Sequence, residues 1–426
     1  MTVPVSRQAD PEPDPEAIAA DVVVVGGGIV GVAVAYRLAV DGRQVMVVDP
    51  DDHRFGTSMR NAGHYVGSHL HPMAQPGMVR SGLVSLLKRD GAFAVNPRYL
   101  KTALPWLLEF ARACKPANVE RATPALRWLA KTSADALDEL VADRGSPAVT
   151  AKGLLEVYYS RATLEGGRAR ARELRGLGLQ SEEREASRVL SDSPRLVARP
   201  TGAICFSDDR SLDPAEFWTV LRDAASSLGA ATFRGEVLSL EPSESDVVVL
   251  GRDMTITASR VVVAAGAWSS RIAGMGDTTR LQAAKGYSVT LSGESTGLSG
   301  PMTLFDPHLA VNPLAGGLRI SSRFEITDPD DRRLDLRRTA AMLRLARRYM
   351  ELDDEAQSRS EWTGNRPAPT GGFPVIGTIP ATERVILCTG HGMIGTSAAL
   401  GSAVLVSDLI AGRPIRPELA VLAPRR

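Results

Sequence analysis

The chain has 426 residues and a formal net charge of +1, with 50 lysine and arginine residues against 49 aspartate and glutamate residues. Binding to nucleic acid needs a clustered surplus of cations, so this balance argues against nucleic acid as the main partner. The hydrophobic share of 44% and the charged share of 23% are typical of a soluble globular protein. At roughly 150 residues per domain, the length predicts about two or three domains.

The N-terminal segment is rich in proline and acidic residues and has no apolar core, so we expect residues 1–20 to form a disordered tail and not a signal peptide. The only long uncharged stretch, Val22 to Tyr36, is shorter than the roughly 20 residues that span a bilayer, and it is interrupted by glycines. No transmembrane segment is expected. The widely spaced cysteines form no CxxC pair, which favours a reducing, cytoplasmic location.

A strand, a helix and a second strand open the folded part of the chain. Apolar runs predict strands at 22–25 and 44–49, and helical spacing predicts a helix at 29–40. Between the first strand and the helix, GGGIVG fits the G-x-G-x-x-G pattern. In this pattern Gly26 permits the tight turn, Gly28 lets a pyrophosphate approach the backbone, and Gly31 allows close packing.

Asp49 ends the second strand, where a carboxylate can accept hydrogen bonds from ribose hydroxyls. Strand, glycine turn, helix and terminal acid together predict a dinucleotide site; the alternative is a tight turn with no ligand. A second glycine match, Gly390 to Gly395, is followed by no strand with a terminal acid, so we expect no second dinucleotide there. Its helix N-terminus would instead stabilise an anion, which for FAD is the reduced flavin ring; the alternative is a close-packed turn.

The remaining elements are predicted from hydrophobic periodicity and turn residues. A long loop at 54–77 is expected to contact a ligand, and helix is expected at 97–144 with a break near Lys115. Further along we predict strands at 153–159, 203–206, 235–240, 247–250, 260–264 and 385–389, helices at 213–228, 334–350 and 393–411, and an antiparallel block at 281–327.

This order predicts an α/β fold with a discontinuous Rossmann-type nucleotide-binding domain and an inserted, mostly antiparallel β substrate domain. The expected limits are 21–95, 200–280 and 366–426 for the nucleotide-binding domain, and 96–199 and 281–365 for the substrate domain.

Five segments in this order carry a resemblance to a known family: the opening unit, GTSMRNAGHYVG, AKGYSVTL, WTGNRPAPTGGFPVIG, and LCTGHGMIGTSAALGSAVLVSDLIAGR. Together they resemble the FAD-dependent D-amino-acid oxidase superfamily, with bacterial D-amino-acid dehydrogenases as the nearest subgroup and glycine and sarcosine oxidases as relatives. The resemblance runs from about Asp21 to Arg413. It implies bound FAD and oxidation of the CH–NH bond of an amino acid by hydride transfer to flavin N5, giving an imine and then a 2-oxo acid.

The resemblance also implies which residues contact the cofactor. The implied contacts are Gly26, Gly28, Ile29 and Asp49 at the pyrophosphate and ribose, Thr57, Ser58, Ala62, Gly63 and His64 along the phosphates and flavin, Val237 at adenine, Ala265 and Gly266 in a second cofactor turn, and Met393, Ile394, Gly395 and Thr396 at the flavin pyrimidine.

For the substrate, the resemblance places Arg366 of GNRP where the family's arginine binds a carboxylate, which a planar guanidinium can hold in a bidentate manner. The alternative is a surface or ion-paired arginine. Tyr287 would donate a hydrogen bond to the substrate or else pack within the sheet, and Lys285 is expected to be structural.

Two departures from the family pattern bear on the substrate and on metals. His64 replaces the usual glutamine and forms an H-x4-H-x-H run with His69 and His71; because this run contains no carboxylate or cysteine, we expect no metal site. Arg323 and Phe324 replace small residues, which predicts a cation or a ring in the pocket. We therefore expect an acidic, larger or cyclic amino acid as substrate.

Two other functions remain open at this point. One is a sarcosine- or proline-type secondary-amine oxidase, and the other is a flavin-binding protein without amine chemistry. A nicotinamide-dependent reductase is disfavoured because the sequence holds one complete dinucleotide unit. Oxygen, a quinone and a carrier protein all remain candidates for the electron acceptor.

Overall fold

A computed structural model of the chain describes residues 18–50, 56–87, 91–145, 149–275, 280–293, 297–352 and 358–425. The predicted tail lies outside the described residues up to position 17, whereas residues 18–20 begin the first strand. Among the described residues, no helix combines the length and the hydropathy that a membrane crossing requires.

The helices and strands, in chain order, are as follows. The strands are β1 (Ile18–Val25), β2 (Val45–Asp49), β3 (His64–Tyr65), β4 (Phe93–Val95), β5 (Val149–Tyr158), β6 (Ser181–Arg184), β7 (Gly202–Leu212), β8 (Ala231–Arg234), β9 (Val237–Pro242), β10 (Val247–Gly251), β11 (Thr255–Val263), β12 (Leu281–Ser292), β13 (Met302–Leu304), β14 (Leu309–Leu314), β15 (Gly317–Thr327), β16 (Ser358–Pro369), β17 (Val375–Ile379) and β18 (Thr382–Thr389). The helices are α1 (Ile29–Val40), α2 (Met78–Leu86), α3 (Leu100–Ala113), α4 (Pro116–Arg144), α5 (Arg161–Gly176), α6 (Ala186–Asp192), α7 (Pro214–Ser227), α8 (Leu336–Ala346) and α9 (Gly395–Ile410).

The helix break predicted near Lys115 is confirmed. Helix α3 ends at Ala113, and α4 begins at Pro116 with Lys115 in an extended conformation. The residue before a proline is pushed out of the helical region, while proline itself is well suited to the first helical position. The WTGNRP segment, for which the sequence predicted no element, lies within strand β16.

The first sheet has the strand order β17-β18-β11-β1-β2-β8, and β9 and β10 extend it through β11. Strand β1 runs parallel to both β2 and β11. Val22 and Val24 pack in the core that includes α1, α4, α7 and α9, whereas Val23 and Val25 pack in the core on the β9–β10 side. Both faces of β1 are therefore covered, which is why its sequence is continuously apolar and does not alternate.

The second sheet has the order β16-β12-β15-β14-β13-β5-β7-β3, with β4 beside β15 and β6 beside β7. Most of its pairs are antiparallel, and α6 and α8 cover one face. The predicted fold class, α/β with an added mostly antiparallel sheet, is confirmed. The division along the chain differs from the predicted limits, because β3, β4 and β7 lie in the second sheet and α4 packs in the core of the first. The periodicity of a helix shows that one face is buried but not which sheet it covers.

Candidate active site

The first glycine turn is too crowded for side chains. Gly26 has φ +106°, and a Cβ there would lie 2.6 Å from the carbonyl oxygen of Ala264. A Cβ on Gly31 would lie 1.8 Å from the carbonyl oxygen of Gly26. The turn and the helix that follows therefore pack as closely as the G-x-G-x-x-G pattern predicts.

Side chains from distant parts of the chain hold this turn. The Asp49 carboxylate accepts a hydrogen bond from the Gly27 N–H at 2.5 Å, and the Trp218 indole N–H donates to the Gly27 carbonyl at 2.8 Å. At the start of α1, the Ser58 hydroxyl accepts a hydrogen bond from the Ile29 N–H at 2.8 Å. Asp49 thus lies beside the backbone that a pyrophosphate would approach.

A cavity of about 370 Å³ extends from this turn to the N-terminus of α9. It is lined by many of the residues that the sequence assigned to the cofactor: Gly26, Gly28, Ile29, Asp49, Thr57, Ser58, Val237, Ala265, Gly266, Met393, Gly395 and Thr396. Gly31 packs against the Gly26 carbonyl where α1 meets the turn, and it does not line the cavity. The cavity lining also excludes four other residues assigned to the cofactor: Ala62, Gly63, His64 and Ile394.

Asn61 connects the loop after β2 to helix α9, a role that the sequence did not predict. Its amide group donates to the Thr396 hydroxyl at 3.2 Å and accepts from the Gly63 N–H at 2.8 Å. Gly395 and Thr396 form the first turn of α9, and the residue before them provides no side-chain cap. The positive end of this helix is therefore directed at the cavity, where it can stabilise negative charge.

These features fit the FAD that the resemblance implies. The glycine cradle and Asp49 would hold the pyrophosphate and ribose, and the N-terminus of α9 would face the flavin pyrimidine. Asn365 lines the cavity, and its buried side-chain oxygen has no hydrogen-bond partner among the described residues. An unpaired buried acceptor is costly, so this oxygen is suited to receive an N–H from a bound ligand.

Arg366 extends from β16 across the neighbouring strand β12. A Cβ on Gly286 of β12 would lie 2.2 Å from the Arg366 Nη1 atom, so the guanidinium occupies the space that only a glycine leaves open. The Nη1 group donates to the Arg323 carbonyl at 3.0 Å. Burial lowers the pKa of Arg366 to about 10, which keeps the group protonated at neutral pH. Arg366 lines the cavity, and no carboxylate of the described residues forms an ion pair with it.

The Arg323 carbonyl is directed at Arg366 by a β-bulge. Two residues of β15, Arg323 and Phe324, lie opposite Gly286, and Arg323 adopts φ +76°, which is rare outside glycine. The Arg323 guanidinium donates to the Gly91 carbonyl, and the Phe324 ring stacks on Phe93 with centroids 6.2 Å apart. Neither the Arg323 nor the Phe324 side chain lines the cavity. The structure therefore does not place in the cavity the cation or ring that was expected from these two positions.

Tyr287 lies on the face of β12 opposite Gly286, because side chains alternate along a strand. Its buried hydroxyl donates to the Glu325 carboxylate at 2.8 Å, and Arg338 donates to the same carboxylate at 3.0 Å. Burial first, and then the Glu325 charge, raise the pKa of Tyr287. The structure therefore does not bring Tyr287 and Arg366 together, and it places the phenol in sheet packing. Lys285, on the same face, lies 3.3 Å from Asp331.

The three histidines of the H-x4-H-x-H run make different contacts. The His64 ring lies 3.3 Å from the Val311 carbonyl, and burial lowers the pKa of His64 to about 4. Burial likewise lowers the pKa of His69 to about 4, whereas His71 contacts Glu173 at 2.9 Å. Within the described ranges, no group of three or more His, Cys, Asp or Glu side chains is positioned to hold a metal ion.

Asp49→Ala is expected to raise the dissociation constant of FAD by about 10- to 100-fold, since hydrogen bonds to a charged group contribute about 1.5–3 kcal/mol. Fluorescence titration of the apoprotein with FAD measures this constant. Asp253→Ala, at an exposed turn carboxylate, is the matched control and should leave it unchanged. An unchanged constant in Asp49→Ala would remove Asp49 from the cofactor site.

The buried His391 is expected to lower the free energy of unfolding in acid. It is 4% exposed, lies 2.9 Å from the Ser402 hydroxyl, and burial lowers the pKa of His391 to about 3. Between its unfolded value near pH 6.5 and this folded value, the unfolded chain binds the extra proton, so acidification destabilises the fold by about 1.4 kcal/mol per pH unit. His391→Asn should reduce the difference in unfolding free energy between pH 7 and pH 5 by about 2 kcal/mol.

Denaturant titrations at both pH values measure that difference. The exposed His308 supplies the control variant His308→Asn, which should retain the wild-type difference. An unaltered difference in His391→Asn would mean that His391 binds its proton in the folded state as it does in the unfolded chain.

Comparisons with known proteins agree with this site. A family model described as FAD dependent oxidoreductase matches residues 21–409. The D-amino-acid oxidase of Bradyrhizobium diazoefficiens is 28% identical over 95% of this chain and 98% of its own length. D-amino acid dehydrogenase 2 of Ralstonia nicotianae is 30% identical over 92% of this chain and 96% of its own length.

Among solved structures, glycine oxidase from Bacillus cereus is similar with a TM-score of 0.74 at 19% identity, over 96% of this chain and 99% of that one. This likeness shows the fold. The family match covers both sheets and the whole cavity between the first glycine turn and the start of α9. The chain therefore belongs to the family of FAD-dependent oxidoreductases, with FAD as its cofactor.

Proposed function

We propose that the chain oxidises the CH–NH2 bond of a D-amino acid to an imine, which water hydrolyses to a 2-oxo acid. The observation that carries this proposal is Arg366, a cation that lines the cofactor cavity and has no carboxylate partner among the described residues. The curated relatives named D-amino-acid oxidase and D-amino acid dehydrogenase support the choice of substrate class.

Arg366 is suited to bind the carboxylate that every α-amino acid carries. A buried charge without a partner is costly, so a ligand carboxylate offsets a desolvation penalty that folding of the chain has already incurred. The planar guanidinium can hold both carboxylate oxygens at once and so fixes the direction in which the α-carbon projects. Its position is set by the Arg323 carbonyl and by the space above Gly286.

The other groups of the chain orient the cofactor and stabilise charge. When bound, FAD supplies the two-electron acceptor. The N-terminus of α9 stabilises negative charge at its end of the cavity. Because His391 beside it is neutral, the positive potential there comes from the helix end itself. Because the substrate amine needs only to be neutral and correctly placed, the absence of a dedicated base in the proposed mechanism costs little.

An anaerobic absorbance titration of the FAD-loaded protein tests the proposal. D-amino acids should bleach the oxidised flavin band, whereas the corresponding L-amino acids should not. Bleaching by N-methylglycine or proline alone would assign the chain to the secondary-amine oxidases. A band that persists with every amino acid would refute amine oxidation and leave a flavin-binding protein without that activity.

A further inference from the structure

Helix α2 (Met78–Leu86) turns its apolar side away from the protein. None of its residues is buried. Val79, Leu83 and Leu86 are exposed, as is the following Leu87; Leu83 is 59% and Leu87 89% accessible. These positions recur every three or four residues and therefore form one stripe along the helix.

The side of α2 that meets the protein is small and polar. A Cβ on Gly82 would lie 3.6 Å from the Phe93 ring, and the Ser85 hydroxyl accepts a hydrogen bond from the Phe93 N–H at 2.8 Å. In a helix at a protein surface the apolar stripe normally faces the core. In α2 this pattern is reversed, so the apolar stripe of α2 remains exposed to water in the folded chain.

Helix α3 adds a second exposed stripe beside the first. Leu100, Leu104 and Leu108 are each about half exposed at intervals of four residues. On the opposite side of α3, Trp106 packs in the same small core cluster as Phe93, against which α2 also packs. The two stripes therefore flank one cluster, and we define the stripe surface as α2, Leu87 and the exposed leucines of α3.

The stripe surface lies in a strongly cationic segment. Residues 78–115 contain seven lysines and arginines and two acidic residues, a net charge of +5 in a chain whose total is +1. Arg80, Arg98, Lys101 and Arg112 are all exposed. Of the two acids, Glu109 is already ion-paired with Arg280. Leucines bordered by lysine and arginine are the combination with which amphipathic helices bind the surface of an anionic bilayer.

We propose that the stripe surface docks on an anionic lipid bilayer, with the leucines inserted among the acyl chains and the basic side chains at the headgroups. A second copy of the chain fits less well, because a symmetric interface would bring the same cations together. A lipid surface of opposite charge pairs those cations and covers the leucines in one contact. This inference does not depend on the identity of the substrate.

Vesicle sedimentation of the full FAD-loaded chain tests the proposal. We expect binding to vesicles of phosphatidylcholine with phosphatidylglycerol, weak binding to phosphatidylcholine alone, and release in about 1 M salt, where the Debye length is about 3 Å. The double variant Leu83→Glu/Leu87→Glu should lower the partition coefficient by about tenfold or more. Leu336→Glu/Val197→Glu, at positions 60% and 51% exposed elsewhere, is the matched control and should bind like the wild type.

Bound-FAD absorbance and melting temperature of each variant establish that it is folded. Arg80→Glu/Lys101→Glu should also weaken binding and reduce its dependence on salt. Equal binding to the two kinds of vesicle, no binding to either, or the same loss in the control variant would overturn the proposal. A dimer in solution that Leu83→Glu/Leu87→Glu dissociates, without vesicle binding by the wild type, would assign the stripe surface to a second copy instead.

Discussion

Arg366→Ala is expected to lower kcat/KM for amino acids by about 100- to 1000-fold while leaving FAD bound. Truncating one partner of a buried, hydrogen-bonded charge pair costs about 2–5 kcal/mol, a range that includes this fold-change. Arg366 is also less exposed than Arg271 and Arg332, the other two arginines of the described residues that line the cavity. Arg366 makes its backbone hydrogen bond to Arg323 and is not part of the glycine cradle that would hold the cofactor. Steady-state kinetics and the flavin absorbance of the purified variant measure the two quantities.

An α-amino amide separates carboxylate binding from a general disturbance of the site. This substrate analogue carries no carboxylate, so Arg366→Ala and the wild type should turn it over at similar, low efficiency. Arg366→Lys should recover part of kcat/KM for the acid, since it restores the charge but not the bidentate geometry. Loss of FAD, or an equal loss with acid and amide, would show that Arg366 acts on the cofactor or the fold.

The cofactor half of the site could be predicted because its signals are local. Gly26, Gly28 and Asp49 belong to one βαβ unit, in which the pattern of strand, turn and helix fixes their relative positions. The residues that complete the turn are not local. Trp218 reaches Gly27 across 191 positions, and nothing in the sequence around α7 indicates this contact.

The substrate half was less predictable because a single bulge changes what the side chains face. A regular β15 would place Arg323 by simple alternation, but the extra residue opposite Gly286 turns its side chain to Gly91 and its carbonyl to Arg366. Tyr287 was expected at the substrate from family resemblance, and its contact with Glu325 follows from the face of β12 on which it lies. Such bulges have no clear sequence signal when a non-glycine residue adopts positive φ.

The role of Gly286 shows how the strand pairing could have indicated more of the site. Strands β12 and β16 pair with Ala284 opposite Arg366. Gly286 lies two residues further along β12, on the same face of the sheet as Ala284 and Arg366. A long side chain that extends along its neighbour needs a residue without Cβ beneath it. The sequence contains both KGYS and GNRP, but only the register connects them.

Gly286→Ala is therefore expected to reproduce most of the kinetic defect of Arg366→Ala without altering Arg366 itself. The added Cβ would lie 2.2 Å from Nη1 and 2.5 Å from Cζ, so the guanidinium must leave its place above β12. Gly316→Ala, where a Cβ would meet nothing within 4 Å, is the matched control and should behave as the wild type. We expect kcat/KM for the amino acid to fall by about 100-fold, because an error of about 1 Å in position can cost that much.

The double variant Gly286→Ala/Arg366→Ala distinguishes displacement of Arg366 from damage to the sheet. If Gly286 acts only by giving Arg366 its position, the second substitution adds little once the guanidinium is gone, and the two effects are far from additive. Melting temperature and flavin content should change little in either single variant, since alanine is tolerated within a paired strand. Additive losses in kcat/KM would instead mean that Gly286 is needed for the sheet or the cofactor, and that the space above it does not determine where the carboxylate binds.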